Sequence, residues 1–598
     1  MDKEMERNDM SKTKKRVLLL PVIIALGFIP MIVRMHTYNT GLSVFDWFPD
    51  AAEQQVDFFL WYKMQAIILT AVVMCCMLAY SIRKDKKMFQ WHNSWYCLAA
   101  YGVLSFMSAL FSPYRSFAFK GSYEVFESLW VVLGYVIMCF YAYQMIQNEQ
   151  DAEFVAKYAA IGIVIITLIG FFQYLGKDFF RTTFGKKLIT DSSMWGALDE
   201  LSFTFPLKTS YTTLYNTNYL AFYYGLLIPI LVILILFAKN VSLKLTCAVL
   251  ALLCFVTMIG SNSKSALLAL GMTFVLGCIV LRRYLKKYFW VPLAAVILFA
   301  GMITLYANRL GGFGNLYQAL FVGVQTDLSS NAIRDIDTLD SEIVFKLDDK
   351  ELHLAYDVSE SGQIYIYAFD HNGDMLTYQQ DGNGTFVLDD LSYADCRITP
   401  MYLEDKIALQ VTMDDLDWYF AKLEDGTYYY YNAMGKFTKI PDVKVSTLFP
   451  NNIISGRGAL WNRIVPILKS NIILGTGSNT FVIAYPQADY ITKKYVGTEN
   501  LFDVKAHSFY FQQFVENGLL ALLALLAFYG WYFVDSFKLY SKIKNFSFCS
   551  MVGLGIMLGT FNYMIIAVAN DSNVNTAPVF WILLGAGMAM NRIVSSEK

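Results

Sequence analysis

Long apolar stretches alternate with short polar connections over most of the chain. A helix needs about 20 predominantly apolar residues to cross a bilayer. Stretches of that kind occur near 17–35, 60–80, 94–112, 129–146, 155–175, 214–238, 243–260, 264–281, 288–306, 511–534, 546–569 and 577–593. The pattern therefore predicts an integral membrane protein with about twelve spanning helices.

The pattern changes to period-two alternation between residues 341 and 440. Runs of alternating apolar and polar residues are separated there by Asn, Asp and Gly clusters, and four of the runs are Ile364–Phe369, Thr385–Leu388, Ile407–Val411 and Thr427–Tyr431. Such spacing is typical of a small antiparallel β domain. Half of the Tyr428–Tyr431 run must point inward if it is a strand.

The predicted fold is thus an all-α polytopic membrane protein with an inserted extracytoplasmic, sandwich-like β domain. Helices one to nine occupy residues 1–306, and helices ten to twelve occupy 511–598. The long loop 307–510 lies between them and contains the β insert at 341–440 and further helices at 450–510. Lys and Arg cluster in alternate short loops, which places both termini in the cytoplasm and the long loop outside.

Composition narrows the functional classes. Of the 598 residues, 56% are hydrophobic and 16% are charged, with a net charge of -1. No concentrated basic patch is present, so we expect no nucleic-acid partner. Eight of the nine cysteines lie in apolar runs, where a thiol acts as a small hydrophobe, so neither disulfides nor thiolate metal sites are expected. Paired acids in the β region, such as Asp414 and Asp415, are metal ligands or a solvated acidic surface.

One of the five histidines stands at the start of a predicted span, directly after the long outer loop. His507 shares a helical face with Phe511, Phe514 and Gly518, because each residue advances about 100°. Glu516 falls on the opposite face, so a structural role is expected for it. A histidine with a pKa near 6.5 can serve as a general base near neutral pH. The alternative is a capping or interfacial role.

Arg457 lies between Gly456 and Gly458. Its planar guanidinium fork suits two phosphate oxygens, on a substrate or on a lipid headgroup. Arg463 is nearly on the other side of a helix, where we expect it to meet lipid phosphate. Gly475-Thr-Gly477 lacks the lysine of a P-loop, which makes a nucleotide site improbable. The segment Ser455–Ser470 is predicted to be a helix on the membrane surface.

That surface helix carries Trp461, Ile464 and Leu468 on one stripe. Two further polar segments lie at outer ends of spans. One contains Asn216 and Asn218, and the other, Gly260–Ser265, places Lys264 at the outer surface, where it either meets a phosphate or snorkels to the interface.

These segments together resemble the C-terminal signature of the O-antigen ligase and polysaccharide polymerase superfamily. The resemblance rests on Gly456-Arg-x-x-x-Trp461, on Asn471-Ile-Ile-Leu-Gly475-x-Gly477, on His507-Ser-x-Tyr510 and on Glu516-x-Gly518. Asn216-x-Asn218 is similar to the family's Asn-Pro-Asn segment, and the turn at Lys264 to its Ser-Arg-x-Ala turn. The β insert, Thr217, Lys264 and Ser508 depart from the family pattern.

The resemblance implies a GT-C-like membrane glycosyltransferase in a bacterial cytoplasmic membrane. The donor would be a glycan on undecaprenyl diphosphate, and the acceptor a hydroxyl of a glycan, glycolipid or protein on the outer face. His507 would act on that hydroxyl and Arg457 would hold the diphosphate. Lys264, Arg463, Asn216, Asn218 and Trp461 would contact the lipid-linked glycan, and Gly456, Gly475, Gly477, Glu516 and Gly518 would support the site. We expect no metal and no cofactor.

Three other functions remain open. A polysaccharide polymerase uses the same parts to lengthen repeat units. A metal-dependent glycosyltransferase would use acids of the outer loop 36–58, Asp46 and Asp50, as the base. A polysaccharide flippase or transporter would need no glycosyl transfer, although mid-span ion pairs of the kind used for ion coupling are not evident. The β domain is a candidate for acceptor binding.

Overall fold

The computed structural model describes residues 15–597 except 87–88, 262, 286–299, 302–303, 305–307, 309–310, 318–331, 360–362 and 383. Eight of its helices are long and apolar enough to cross a membrane. These are α2 (Trp61–Lys84), α3 (Ser94–Phe111), α6 (Glu149–Tyr174), α8 (Thr217–Phe237), α9 (Val241–Gly260), α17 (Leu519–Tyr540), α18 (Phe548–Ile566) and α19 (Ala577–Ser596). The chain is a membrane-embedded protein with several spans.

Two shorter apolar helices correspond to predicted spans, α5 (Leu129–Met145) and α10 (Lys264–Val280). The first helix, α1, covers residues 15–31 and ends in a π-helical turn, Ile24–Phe28, and a 3-10 turn, Ile29–Met31. The predicted span at 288–306 falls mostly outside the described residues. The short helices are α4 (Arg115–Lys120), α7 (Thr183–Ile189), α11 (Arg282–Leu285), α12 (Phe313–Tyr317), α13 (Ile453–Leu468), α14 (Phe481–Ala484), α15 (Tyr490–Tyr495) and α16 (Phe509–Asn517).

The prediction of one continuous span at 511–534 is wrong. Helix α16 ends at Asn517, and Gly518 has a φ of +87° before α17 begins at Leu519. Only glycine adopts this left-handed conformation without steric cost. His507 therefore precedes the short helix α16 and does not itself open a span.

The centre of the bundle is built where glycines let helices approach closely. In the apolar windows of α18 and α19, 78% and 89% of the residues are buried, against 22% in α2. A Cβ added at Gly559 of α18 would lie 2.3 Å from the carbonyl oxygen of Leu226 in α8, and one at Gly585 of α19 would lie 2.0 Å from that of Cys139 in α5. Small residues at such crossings are how helices pack in a membrane.

Two antiparallel sheets form the region predicted as a β domain. The first contains β3 (Asp335–Thr338), β4 (Ile343–Lys346), β5 (Glu351–Val358) and β6 (Ile364–Asp370) in sequence order. The second contains β7 (Tyr378–Gln380), β8 (Phe386–Leu388), β9 (Arg397–Leu403), β10 (Lys406–Met413), β11 (Leu416–Lys422), β12 (Tyr428–Tyr431) and β13 (Phe437–Thr438), also in sequence order. All four predicted runs contain a strand.

The two sheets share one apolar core. Phe345 of the first sheet contacts Phe420 of the second edge to face, with ring centroids 5.6 Å apart. In β12, Tyr428 and Tyr430 are buried while Tyr429 and Tyr431 are partly exposed, which confirms the predicted alternation. The strands of both sheets follow sequence order, because a hairpin turn pairs each strand with the next one along the chain.

The last hairpin of the β domain docks on the loop between α1 and α2. That loop carries a small hairpin of β1 (His36–Asn39) and β2 (Gln54–Asp57). Lys436 Nζ lies 2.8 Å from the Asp50 carboxylate and donates to the Ser43 carbonyl at 2.7 Å. Thr438 Oγ1 donates to the Asp46 carboxylate at 3.1 Å. Both acids thus contact the β domain, and the alternative role of Asp46 or Asp50 as a base stays a prediction.

Candidate functional site

His507 pairs with Asp571, which lies in the connection between α18 and α19. The imidazole Nδ1 lies 3.1 Å from Asp571 Oδ2. The His507 side chain is 50% exposed, whereas the Asp571 side chain is 4% exposed. A neutral imidazole that donates Nδ1–H to the carboxylate has an unprotonated Nε2, which can accept a proton. The exposed edge of His507 is therefore suited to general-base chemistry.

The segment 505–509 is tied down on both sides of His507. Lys505 Nζ donates to the Tyr219 hydroxyl at 2.9 Å, and the Ala506 carbonyl accepts from Trp461 Nε1 at 3.0 Å. The Phe509 N–H lies 2.9 Å from the Asn570 carbonyl. His507 itself has a φ of +49°, a left-handed conformation that is uncommon outside glycine. The neighbouring bonds stabilise this conformation and fix the direction of the imidazole.

Asp571 belongs to a buried polar loop, residues 567–576, between α18 and α19. The polar side chains of this loop are all buried, namely Asn570, Asp571, Ser572, Asn573, Asn575 and Thr576. Buried polar groups are costly unless they are hydrogen-bonded. The Asn575 amide oxygen accepts from Lys63 Nζ at 2.6 Å, which links the loop to α2.

Arg457 reaches the same loop from α13. One guanidinium nitrogen, Nη2, donates to Asn570 Oδ1 at 3.3 Å. Burial lowers the pKa of Arg457, while the neighbouring Asp571 carboxylate raises it. A guanidinium stays charged under such shifts because its ordinary pKa exceeds 12. Arg457 and His507 therefore meet at adjacent residues, Asn570 and Asp571.

A chain of hydrogen bonds continues from Asn570 to the other predicted polar segments. Asn570 Nδ2 donates to Ser265 Oγ at 3.1 Å, and the hydroxyls of Ser265 and Ser263 are 3.1 Å apart. Ser263 Oγ in turn donates to Asn218 Oδ1 at 3.1 Å. The structure thus brings His507, Arg457 and Asn218 into one network, although they lie far apart in sequence.

Three other residues were predicted to contact the lipid-linked glycan, and the structure shows where each lies. Asn216 caps α8, because its Oδ1 accepts from the Asn218 N–H at 2.8 Å. Trp461 is 4% exposed and lies in an apolar cluster with Phe511. The stripe of α13 therefore faces the protein, and its predicted exposure to the membrane surface is wrong for Trp461 and Ile464. Lys264 begins α10, and its side chain lies outside the described part of the structure.

Arg463 is engaged in a buried ion pair. Its Nε and Nη2 atoms each lie 2.6 Å from Asp489 Oδ2, and Nη1 donates to the Ala459 carbonyl at 2.8 Å. Both side chains are 10% exposed. This placement favours a structural role for Arg463 over the predicted contact with lipid phosphate.

The supporting residues meet where the 475–477 segment crosses the end of α16. A Cβ added at Gly475 would lie 2.2 Å from the carbonyl carbon of Glu516, so only glycine fits. Glu516 is buried, and its Oε1 accepts from Gln512 Nε2 at 3.2 Å and from the Phe481 N–H at 3.3 Å. Glu516 does not contact His507, as expected. The predicted helical face shared by His507 and Phe511 is wrong, because His507 precedes α16 and has a φ of +49°. Gly456 adopts a φ of +89° next to Arg457.

Sequence reasoning missed buried charged residues near the site, among them Glu127 and Lys505. Glu127 accepts from Ser572 Oγ at 2.8 Å and from the Tyr135 hydroxyl at 2.7 Å. Burial raises the pKa of Glu127 to about 7, against the effect of these two hydrogen bonds. Lys505 is 8% exposed. Both could have been identified in the sequence as charged residues beside apolar or aromatic neighbours.

The paired acids of the β domain have simpler explanations than metal binding. Asp414 and Asp415 connect β10 to β11, with φ values of +56° and +58°. Two consecutive positive φ values define a type I′ hairpin turn, which favours Asp. Asp348 pairs with Arg334 at 2.5 Å. Within the described ranges, no group of three or more His, Cys, Asp or Glu residues is arranged to hold a metal ion.

The chain was compared with models of known protein families, with curated proteins and with solved structures. None of the three comparisons finds a match.

Proposed function

We propose that this chain is a membrane glycosyltransferase of the O-antigen ligase type. It would transfer a glycan from undecaprenyl diphosphate to an acceptor hydroxyl on the outer face of a bacterial cytoplasmic membrane. The observation that carries the proposal is the half-exposed imidazole of His507 on the buried Asp571 carboxylate, beside the guanidinium of Arg457. A base and a fixed cation at one site are the two groups that this transfer needs.

His507 acts on the acceptor in this mechanism. Its Nδ1–H donates to Asp571, which leaves Nε2 to take the proton of the acceptor hydroxyl. The hydroxyl oxygen then forms a bond to the anomeric carbon of the donor, and the bond from that carbon to the phosphate oxygen breaks. Asp571 stabilises the imidazolium that forms. General-base assistance of this kind contributes a factor of about 10² to 10⁴ in rate.

Arg457 acts on the leaving group. The guanidinium has five N–H donors, and only the hydrogen bond to Asn570 uses one of them among the described residues. The remaining donors match the oxygens of a diphosphate. Because the site is partly desolvated, a fixed cation stabilises the developing negative charge more strongly than it would in water.

Asn218, Ser263 and Ser265 extend the site from Arg457 toward α8. Their hydroxyl and amide groups form the network that fixes Asn570, and they offer further contacts for a lipid-linked glycan. Lys264 lies between the two serines and is proposed as a second diphosphate contact. No metal is needed, because a diphosphate is a good leaving group and cationic side chains can take the place of a divalent ion.

Transfer by the purified protein in liposomes tests the proposal. The substrates are an undecaprenyl-diphosphate-linked glycan and an acceptor glycolipid, with and without EDTA. We expect the His507→Ala variant to lose transfer while keeping its fold, and EDTA to leave the rate unchanged. Wild-type transfer by folded His507→Ala would contradict the mechanism. The product separates two outcomes: a ligase joins the glycan to the acceptor, and a polymerase lengthens the chain on the diphosphate lipid.

A further inference from the structure

A second concave site lies at the outer end of α6, away from His507. The last turns of α6 and the segment 176–182 enclose a cleft of about 650 Å³. One side of the cleft is apolar and includes Ile165, Leu168 and Phe172. These three side chains are 38%, 38% and 46% exposed on a membrane-spanning helix. This side therefore faces the lipid hydrocarbon.

The other side of the cleft is cationic. Lys177 and Arg181 line it, and the side chain of Lys208 lies over Gly176. Lys177 is exposed, and its ammonium group has no hydrogen-bond or ion-pair partner within the described residues. Arg181 is held by Asp178 through Nε at 3.3 Å and by the Phe205 carbonyl through Nη2. The cleft thus changes from apolar to cationic where the helix leaves the bilayer.

The one acid of the cleft does not cancel this charge at the opening. The Asp178 side chain is 6% exposed, and its carboxylate points inward. It accepts from the Tyr211 hydroxyl at 2.6 Å, from the Phe180 N–H at 3.0 Å and from Gln173 Nε2 at 3.2 Å. Asp178 therefore fixes the position of Arg181, while Lys177 remains available to a ligand.

We propose that this cleft is a binding site for an anionic glycerophospholipid of the outer leaflet. The acyl chain lies along Leu168 and Phe172, and the headgroup phosphate contacts Lys177 and Arg181. A zwitterionic lipid fits the apolar part equally well and gains less from the two cations. The proposal does not depend on the proposed transferase function, since no residue of the cleft belongs to the His507 site.

Lipid binding here has a consequence for the neighbouring segment. Gln173 Oε1 accepts from the N–H groups of Tyr211 and Thr212 at 3.1 and 2.7 Å, just before α8 begins. A lipid that holds the 176–182 segment against α6 therefore also steadies the approach to Asn218. Binding to the folded state alone raises the stability of the protein.

Spin-labelled lipids test the proposal directly. The full-length protein is reconstituted in phosphatidylcholine bilayers that contain a minor fraction of labelled phosphatidylglycerol or labelled phosphatidylcholine. The immobilised spectral component is then measured for each lipid. We expect the wild type to prefer phosphatidylglycerol. Lys177→Gln should lower this preference about fivefold, because one lysine near a charged lipid surface contributes about 1 kcal/mol.

Two matched controls distinguish specific binding in the cleft from general contact with lipid. Lys187→Gln removes another lysine of the same outer loop, one that lies over Trp195 and does not line the cleft. Leu168→Trp fills the cleft without changing charge, whereas Ile161→Trp adds the same ring on an exposed position of α6 that does not line it. We expect only Lys177→Gln and Leu168→Trp to reduce binding. Equal effects within either pair would overturn the proposal.

Discussion

His507 Nδ1 and Asp571 Oδ2 lie 3.1 Å apart, although the two residues are 64 positions apart in the chain. The carboxylate is buried and the imidazole is half exposed. This relationship sets both the tautomer of the histidine and the direction of its free nitrogen.

Asp571→Asn should therefore lower the turnover rate of the proposed transfer by about 10²-fold or more. An amide can donate to Nδ1, which places the proton on Nε2 and removes the base. The measurement is the initial rate of glycan transfer, together with thermal melting to show that the variant is folded.

A second His–Asp pair provides the control for this prediction. His92 Nε2 lies 3.3 Å from Asp535 Oδ2 in a half-exposed pair that lies outside the site. His92→Ala should leave the transfer rate near that of the wild type. A comparable loss in His92→Ala would show that the effect of the Asp571 variant is not specific to the site.

Arg457→Gln should lower the transfer rate by about 10²- to 10³-fold, the usual cost of removing one charge-stabilising donor from a catalytic site. Glutamine keeps an N–H donor, but it is shorter than arginine and lacks the charge. The check is the transfer rate at saturating and limiting donor. An unchanged rate in both conditions would remove Arg457 from the mechanism.

Arg463→Met should instead reduce stability. Removing one partner of a buried ion pair leaves an uncompensated charge and costs about 3–5 kcal/mol. Thermal melting of the detergent-solubilised protein measures the loss. The double variant Arg463→Met with Asp489→Leu should recover most of it, because no buried charge remains. Full stability of the single variant would contradict the buried pairing.

Glu127 gives a pH dependence of stability with a definite sign. Its pKa is raised by burial to about 7, above its ordinary value of 4.5. Between these two values the folded state binds more protons than the unfolded state, so stability falls as the pH rises from about 4.5 to about 7. The full cost above pH 7 is about 3 kcal/mol, from 1.36 kcal/mol per pKa unit.

The Glu127→Gln variant isolates this contribution. The amide is neutral at every pH and can still accept from Ser572 and Tyr135. Melting curves are recorded at a series of pH values. The fall in stability between pH 4.5 and 7 that Glu127 causes should be present in the wild type and absent from the variant. Parallel curves for the two proteins would contradict a raised pKa at Glu127.

Gly475→Ala should destabilise the protein by about 1–3 kcal/mol or more, because the added methyl group overlaps the Glu516 carbonyl. Gly530→Ala in α17 is the control, since nothing lies within 4 Å of an added Cβ there. That change should be neutral or slightly stabilising, as alanine favours helix. Melting temperatures of the two variants decide the prediction.

Much of the fold follows from patterns that are local in sequence. The apolar stretches near 60–80 and 214–238 correspond to the candidate membrane helices α2 and α8, because every backbone polar group in a bilayer must be satisfied within its own segment. Alternation at Tyr428–Tyr431 likewise gives the burial of every second ring. The apolar run at 511–534 predicts one helix, but the positive φ of Gly518 divides it into two.

Patterns that are local in sequence determine only part of the candidate site. Sequence alone identifies His507 and Arg457 as groups with suitable chemistry, and it predicts a structural role for Glu516. It does not reveal that Asp571 is the partner, or that Asp489 occupies Arg463, since these contacts span 64 and 26 residues. Helical periodicity relates only residues a few turns apart. Contacts across the bundle depend on how helices pack, and only the tertiary structure decides them.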